Sequence, residues 1–326
     1  MSQVQIGILN MVAACVIWGL SGLYYKLLSH IPAIEILAHR TLWSAVFFTG
    51  VLAVQGRLRV LGSLLSDGRQ VITVALAALM IACNWFFFIW SVGAGRATEA
   101  SLGYYIFPLV AVLLGRVVFG ERLSPAQWAA VALAGCAVAV LTLGLGVLPY
   151  ISLILATSFG IYGVFKKRIA FGPIVTVSGE VVLLTPIALI VMVFFATPEG
   201  AGLDRVLAVG TEAGLSWRDM ALLMFAGPLT ATPLILFSAA THRVPMATVG
   251  LVQYINPTLQ FLVAALVFAE PVTLWHQIAF PMIWAALALY SWTSLRQDRA
   301  ARRLAMQSST DVVVPQSSLR DGSAKP

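Results

Sequence analysis

Charge is what this 326-residue chain has least of: Asp, Glu, Lys and Arg together make up 10% of it, against about 25% in an average soluble domain. That shortage excludes an ordinary water-soluble fold. Cysteine is scarce too, and the three that occur, Cys15, Cys83 and Cys136, each stand in an apolar run. Neither a disulfide framework nor a zinc-ligand spacing can be assembled from them, and they read as packing residues. The chain has no Gly-Lys-Ser/Thr phosphate loop and no His-Glu-x-x-His pair, which argues against direct use of ATP and against zinc-dependent hydrolysis. No catalytic residue, metal ligand or cofactor is expected.

What the chain does have suits hydrocarbon. Hydrophobic residues make up 60% of it and the mean hydropathy is +0.92. Runs near the roughly 20 residues that a helix needs to cross about 30 Å of bilayer fall at 6–28, 36–54, 70–93, 99–118, 126–144, 148–166, 174–196, 219–240, 246–268 and 273–294. They predict an all-α integral membrane protein with ten transmembrane helices. Val12-Ala13-Ala14-Cys15 has the outline of a lipoprotein cleavage box, but no basic segment precedes it and the apolar run continues beyond the Cys. The first span is therefore read as a retained helix.

The net charge of +7 does not form one face or stripe, so a nucleic-acid partner is not expected. It reports topology instead. With the N-terminus in the cytoplasm, Arg57, Arg59, Arg69, Arg122, Lys166, Lys167, Arg168 and Arg243 lie on cytoplasmic connections, whereas the opposite loops carry chiefly Arg96, Arg205 and Arg218. Positive-inside bias places both termini in the cytoplasm of a membrane that the chain crosses many times. Residues 296–326 form a cytoplasmic tail. Its Ser-, Asp- and Gln-rich part after about Leu304 lacks a helical period and is expected to be disordered.

The chain repeats itself. Tyr105-Ile106-Phe107-Pro108 returns 149 residues later as Tyr254-Ile255-Asn256-Pro257, and Glu121 is matched by Glu270 at the same offset. Trp18-Gly19, Gly22, Lys26 and Pro32 are matched by Phe159-Gly160, Gly163, Lys167 and Pro173 at an offset of 141. Each unit holds five spans, an odd number, so the second enters the membrane from the opposite side. Two inverted five-helix repeats, 1–144 and 145–295, are a transporter architecture with its site near the bilayer midplane.

Polar groups in hydrocarbon are costly unless paired or facing a cavity, which makes them candidates for function. Pro108 and Pro257 each remove a backbone donor in mid-span and mark helix kinks. Beside them stand Tyr104, Tyr105, Gln253, Tyr254 and Asn256, and the third and first spans add Asn84, Trp85 and Trp18. These eight are read as substrate-binding residues, against the plainer reading of interhelical hydrogen-bond glue and aromatic packing. His39 and its repeat counterpart Glu180 are candidates for proton or ion coupling. The alternative is a helix-end ion pair with Glu35, with Arg40 reaching out to lipid headgroups. Glu180 is the stronger candidate because no basic residue flanks it closely in sequence. The glycine pairs Gly19/Gly22 and Gly160/Gly163 permit close helix approach.

Glu35-Ile36-Leu37-Ala38-His39-Arg40, Asn84-Trp85 with Phe88-Ile89-Trp90, Glu99-Ala100-Ser101-Leu102-Gly103-Tyr104, and Gln253-Tyr254-Ile255 before Pro257 resemble the signature stretches of the RarD permeases. These belong to the EamA branch of the drug/metabolite transporter superfamily. The resemblance spans about residues 6–294 in order. It implies a ten-helix inner-membrane protein with cytoplasmic termini and a central cavity between two repeats, and leaves the substrate open. The chain departs from the family pattern at Phe107, where Asn is common, and at Gly22, where Pro is frequent. The binding site is therefore expected to lean toward the second repeat. The function expected is a secondary permease, an exporter by family analogy, for a small organic metabolite or drug. The other readings are a membrane scaffold or sensor without transport and an intramembrane enzyme. A small-molecule substrate and the lipid bilayer are the partners expected, and the oligomeric state stays open.

Overall fold

A computed structural model describes residues 2–120, 123–194, 209–210, 214–244, 248–249 and 252–311. The described chain is all α-helix. Its helices are α1 (Gln3–Leu27), α2 (Ala33–Val54), α3 (Leu58–Ser66), α4 (Gly68–Gly93), α5 (Ala97–Phe119), α6 (Pro125–Leu145), α7 (Tyr150–Lys166), α8 (Pro173–Phe194), α9 (Trp217–Thr241), α10 (Ile255–Leu262) and α11 (Leu274–Asp311). Among the described residues seven are long and apolar enough to cross a membrane, and Tyr150–Lys166 and Ile255–Val267 are shorter apolar helices.

Helix ends follow from local chemistry. Ser2 and Ser124 each form a capping box with a Gln three residues on, and the carboxylate of Asp67 accepts from the amides of Arg69 and Gln70. Such side chains satisfy amides that a helix leaves without internal partners. Between helices the surface is apolar: Val46, Ile72, Val117, Leu143 and Leu266 are all exposed. In water so many exposed branched side chains would drive association, whereas a lipid face tolerates them.

The packing has a symmetry. Let α1, α2, α4, α5 and α6 exchange places with α7, α8, α9, α10 and α11. The pair α1–α9 then becomes α7–α4, α5–α7 becomes α10–α1, and α2–α9 becomes α8–α4, while α2–α8, α5–α10 and α6–α11 map onto themselves; all these pairs are in contact. Individual residues obey it as well. Lys26 stands over the Phe268 ring, 5.4 Å from its centroid, and its counterpart Lys167 stands over Phe119 at 4.7 Å. A Cβ on Gly19 would lie 2.6 Å from Leu259 Cβ, and one on Gly160 would meet Leu114 at 2.7 Å and Val110 at 3.3 Å. Val110 is the repeat counterpart of Leu259. Gly22 and Gly163 have no such crowding, so only the first glycine of each pair sets a close approach.

Three expectations need correction. The connection after α2 holds the short helix α3, whose Leu61 and Leu64 are buried beside Ile169, Phe171 and Val175. Its apolar residues at 58, 61, 64 and 65 were a helical stripe too short to register as a span. The last helix runs on to Asp311, well past 294 and into the segment expected to lack order. Ala, Arg, Leu, Met and Gln dominate 295–307, and all are strong helix formers. The ninth span is not one regular helix: Gln253 and Tyr254 form a turn, α10 follows, and Val263–Val267 is a π-turn. Glu121, together with most of the 197–218 connection and residues 312–326, lies outside the described residues.

Candidate functional site

The helices enclose a cavity of about 660 Å³ lined from both halves of the chain, within the range of about 300–1,000 Å³ typical of small-molecule pockets. Trp18, Asn84, Trp85, Tyr104, Gln253, Tyr254, Asn256, Pro108, Pro257 and Glu180 all line it. Residues scattered over more than 230 positions of sequence are thus brought to one space. Phe88, Phe107, Phe159 and Phe237 supply much of its apolar wall. Phe107, the departure from the family pattern, packs edge-on against Phe159 with centroids 4.7 Å apart.

Two charged centres face the cavity. At the first, Arg40 of α2 is only 7% exposed. Its Nη1 donates to the Tyr25 hydroxyl at 2.7 Å, and its guanidinium carbon lies 4.0 Å from the Trp85 ring centroid. This overturns the reading of Arg40 as a headgroup anchor. The signal was in the sequence: Ile36, Arg40, Ser44, Phe48 and Leu52 form one i, i+4 row, and all five are buried.

At the second centre Lys166 Nζ donates to Glu180 Oε1 at 2.8 Å and to Thr176 Oγ1 at 2.8 Å, while the Tyr162 hydroxyl donates to Glu180 Oε2 at 3.2 Å. Glu180 is fully buried. A buried carboxylate requires such partners, since water cannot supply them. The absence of a basic neighbour in sequence was therefore no guide to its surroundings. Lys166 comes from the end of α7, across the turn, and points inward instead of marking a cytoplasmic surface.

Asn84 lines the cavity with its amide already engaged. Its Nδ2 donates to the Leu155 carbonyl at 2.9 Å and to Ser158 Oγ at 3.2 Å, and its Oδ1 accepts from the Tyr104 hydroxyl at 2.8 Å. Asn84 and Tyr104 hold α4, α5 and α7 together behind the aromatic lining. In the second copy Asn256 Oδ1 accepts from Gln260 Nε2 at 3.0 Å, and Gln260 Oε1 is buried with no hydrogen-bond partner. Trp18 leans on Phe237 with centroids 5.9 Å apart.

Two predicted residues do not reach the cavity. The Tyr105 hydroxyl pairs with Thr258 Oγ1 at 2.7 Å, and its ring packs against Phe280 and Trp284, on the side of α10 and α11. Adjacent helical residues point about 100° apart, and on α5 that turn carries Tyr105 off the cavity wall while Tyr104 stays on it. His39 is buried away from the lining residues, and neither of its ring nitrogens has a hydrogen-bond partner. Tyr25, Tyr162, Lys166 and Thr230, which the motifs did not single out, line the cavity as well.

The shared Pro serves differently in the two copies. Pro108 sits inside the continuous helix α5. Pro257 falls in the first turn of α10, where a missing amide costs little, and the carbonyl of Gln253, four residues earlier, accepts from Asn256 N at 3.1 Å. Past α10 Ala269 has a left-handed φ of 52°, and Glu270 follows it with both carboxylate oxygens on the start of α5. Oε1 accepts from Ala97 N and Oε2 from Thr98 N, each at 2.7 Å. A carboxylate there meets both free amides and the positive end of the helix dipole.

Residues 5–143 match the EamA-like transporter family. Over 290 residues the chain is 42% identical to an uncharacterized transporter of Pseudomonas aeruginosa, covering 87% of this chain and 93% of that one. It is 39% identical over 316 residues to Protein RarD of Streptomyces exfoliatus, covering 96% and 97%. With Protein RarD of Escherichia coli K12 the identity is 36% over 300 residues, covering 91% and 97%. A solved crystal structure superimposes with a TM-score of 0.55 at 19% identity, covering 89% of this chain and 98% of that one.

Proposed function

From the premise that this chain belongs to the EamA-like transporter family, as a multi-pass membrane permease of RarD type, we propose that it is a secondary transporter for a small organic metabolite or drug. In this reading ten spans form two inverted repeats, 1–144 and 145–295, with both termini in the cytoplasm of a bacterial inner membrane. The cavity between the repeats is the substrate site, exposed alternately to either side, and the direction is export.

One observation carries the reading. Polar and aromatic residues from α1, α2, α4 and α5 meet those from α7 to α11 around a single enclosed space, where hydrocarbon would otherwise penalise them. Trp18, Trp85, Tyr254 and Asn256 are assigned to the solute, with Asn84 and Tyr104 positioning the wall. Coupling is assigned to Glu180, whose proton and whose bond to Lys166 would alternate during the cycle. His39, off the cavity, is assigned no direct contact with the solute.

The test compares metabolites and added drugs inside and outside cells that lack or overexpress the protein, with and without a protonophore. An expression-dependent shift in one class of compound is expected, weakened by protonophore and by Tyr254→Ala or Asn256→Ala. Full movement in both variants would remove the site assignment, and no shift in any class would remove the exporter.

A further inference from the structure

We propose that the solute carried here is a small organic anion, a carboxylate on an aromatic or otherwise apolar body, and that Arg40 is its anion-binding group; this rests on the permease reading above. The two charged centres are unequal. Lys166 and Glu180 neutralise one another, whereas among the described residues no carboxylate lies within 4.0 Å of Arg40. Among the described residues no further charged side chain lines the cavity, so the wall they form carries one net positive charge.

Such a charge is costly in a buried setting unless something pairs with it. Arg40 has a hydrogen bond from Nη1 to the neutral Tyr25 hydroxyl, a stacked Trp85 on one face, and a buried Nε with no partner. A guanidinium held flat in this way has lost its freedom before the ligand arrives, and its remaining donors suit a planar carboxylate. A cation would be repelled by Arg40 and would reach Glu180 only by displacing Lys166. A neutral solute would leave the guanidinium without a counter-charge. Cavity volume and the surrounding Trp18, Phe88, Phe159 and Phe237 favour an apolar body over a bare inorganic ion.

Three isosteric probes that differ in charge test this on the purified full chain in nanodiscs: 3-phenylpropionate, 3-phenylpropanamide and 3-phenylpropylamine. Thermal stabilisation is expected from the carboxylate, with binding at least about tenfold tighter than the amide or the amine. Arg40→Gln should erase that ranking, and Arg40→Lys should keep a weakened one because the charge remains without the planar fork. If Arg40→Gln does not fold, the wild-type ranking and Arg40→Lys decide. Sodium chloride at matched ionic strength should not reproduce the effect; if it does, the organic body is wrong. Amide or amine binding as tight as the carboxylate, no carboxylate stabilisation up to about 10 mM, or an unchanged ranking in Arg40→Gln would each overturn the proposal. Flux in proteoliposomes separates the two readings. Selective carboxylate binding without flux removes the permease and leaves the anion site, whereas flux of neutral or cationic solutes alone keeps the permease and removes the anion.

Discussion

The ends of the first two helices in each half occupy equivalent places and hold different chemistry. Tyr25 corresponds by repeat to Lys166, and His39 to Glu180. In the first half Tyr25 is bridged to Arg40, one residue past the counterpart position; in the second, Lys166 is bridged directly to Glu180. One bridge is a cation on a neutral phenol, the other a closed ion pair. Meanwhile the Lys26–Phe268 and Lys167–Phe119 contacts, and the glycine contacts of α1 and α7, are kept in both. These joints match across the two halves, whereas the groups that face the cavity differ.

The contrast breaks most visibly at the ion pair. Lys166→Met should cost about 3–5 kcal/mol by leaving a buried carboxylate without its partner, read as a large fall in melting temperature. Adding Glu180→Gln should recover most of the loss. Arg40→Gln, which strands no carboxylate, should cost about 1–2 kcal/mol, and equal losses in the two single variants would erase the distinction between the two ends.

The close-packed glycines give a smaller difference of the same kind. Gly19→Ala drives a Cβ against Leu259 Cβ, and a rigid clash of this sort costs about 1–3 kcal/mol. Gly160→Ala meets the tip of Leu114, which can turn aside, so the gain of about 1 kcal/mol from helix propensity should make it near neutral. Thermal unfolding of both variants checks this, and a reversed order would mean that the α7–α5 contact and not the α1–α10 contact is the tighter one. Glu270→Gln should lose about 1 kcal/mol by weakening the charged cap on α5, with earlier amide exchange at the start of that helix. Lys26→Met should lose about 0.5–1 kcal/mol; no measurable loss would reduce the Lys26–Phe268 contact to geometry without energy.

The seven long apolar helices among the described residues were legible because hydrocarbon thickness sets a length threshold that composition alone can meet. Pro, Gly and Lys recur at fixed offsets in the sequence, and the paired Lys-on-Phe contacts follow those offsets. Rotational phase was harder to read. Nothing in Tyr104-Tyr105 announces which ring faces the cavity, and Arg40 at a helix end is chemically suited to headgroup or interior alike. Pairing across a turn was harder still: Lys166 and Glu180 are 14 residues apart, and only the antiparallel return of α8 joins them. Short amphipathic α3 gives no span signal because its nine residues fall far below bilayer length.

Glu270 has one more implication. It belongs to the second half of the chain and grips the first turn of α5, which belongs to the first. Lys26 and Phe268 tie α1 to the same region, and α1 and α5 each pack on α10. The halves of the gene product are interlaced. A swing of one repeat as a block would have to tear two carboxylate–amide bonds at every turnover. In the proposed cycle, a parting that spares those bonds would run between mixed groups of helices and would not follow the midpoint of the chain.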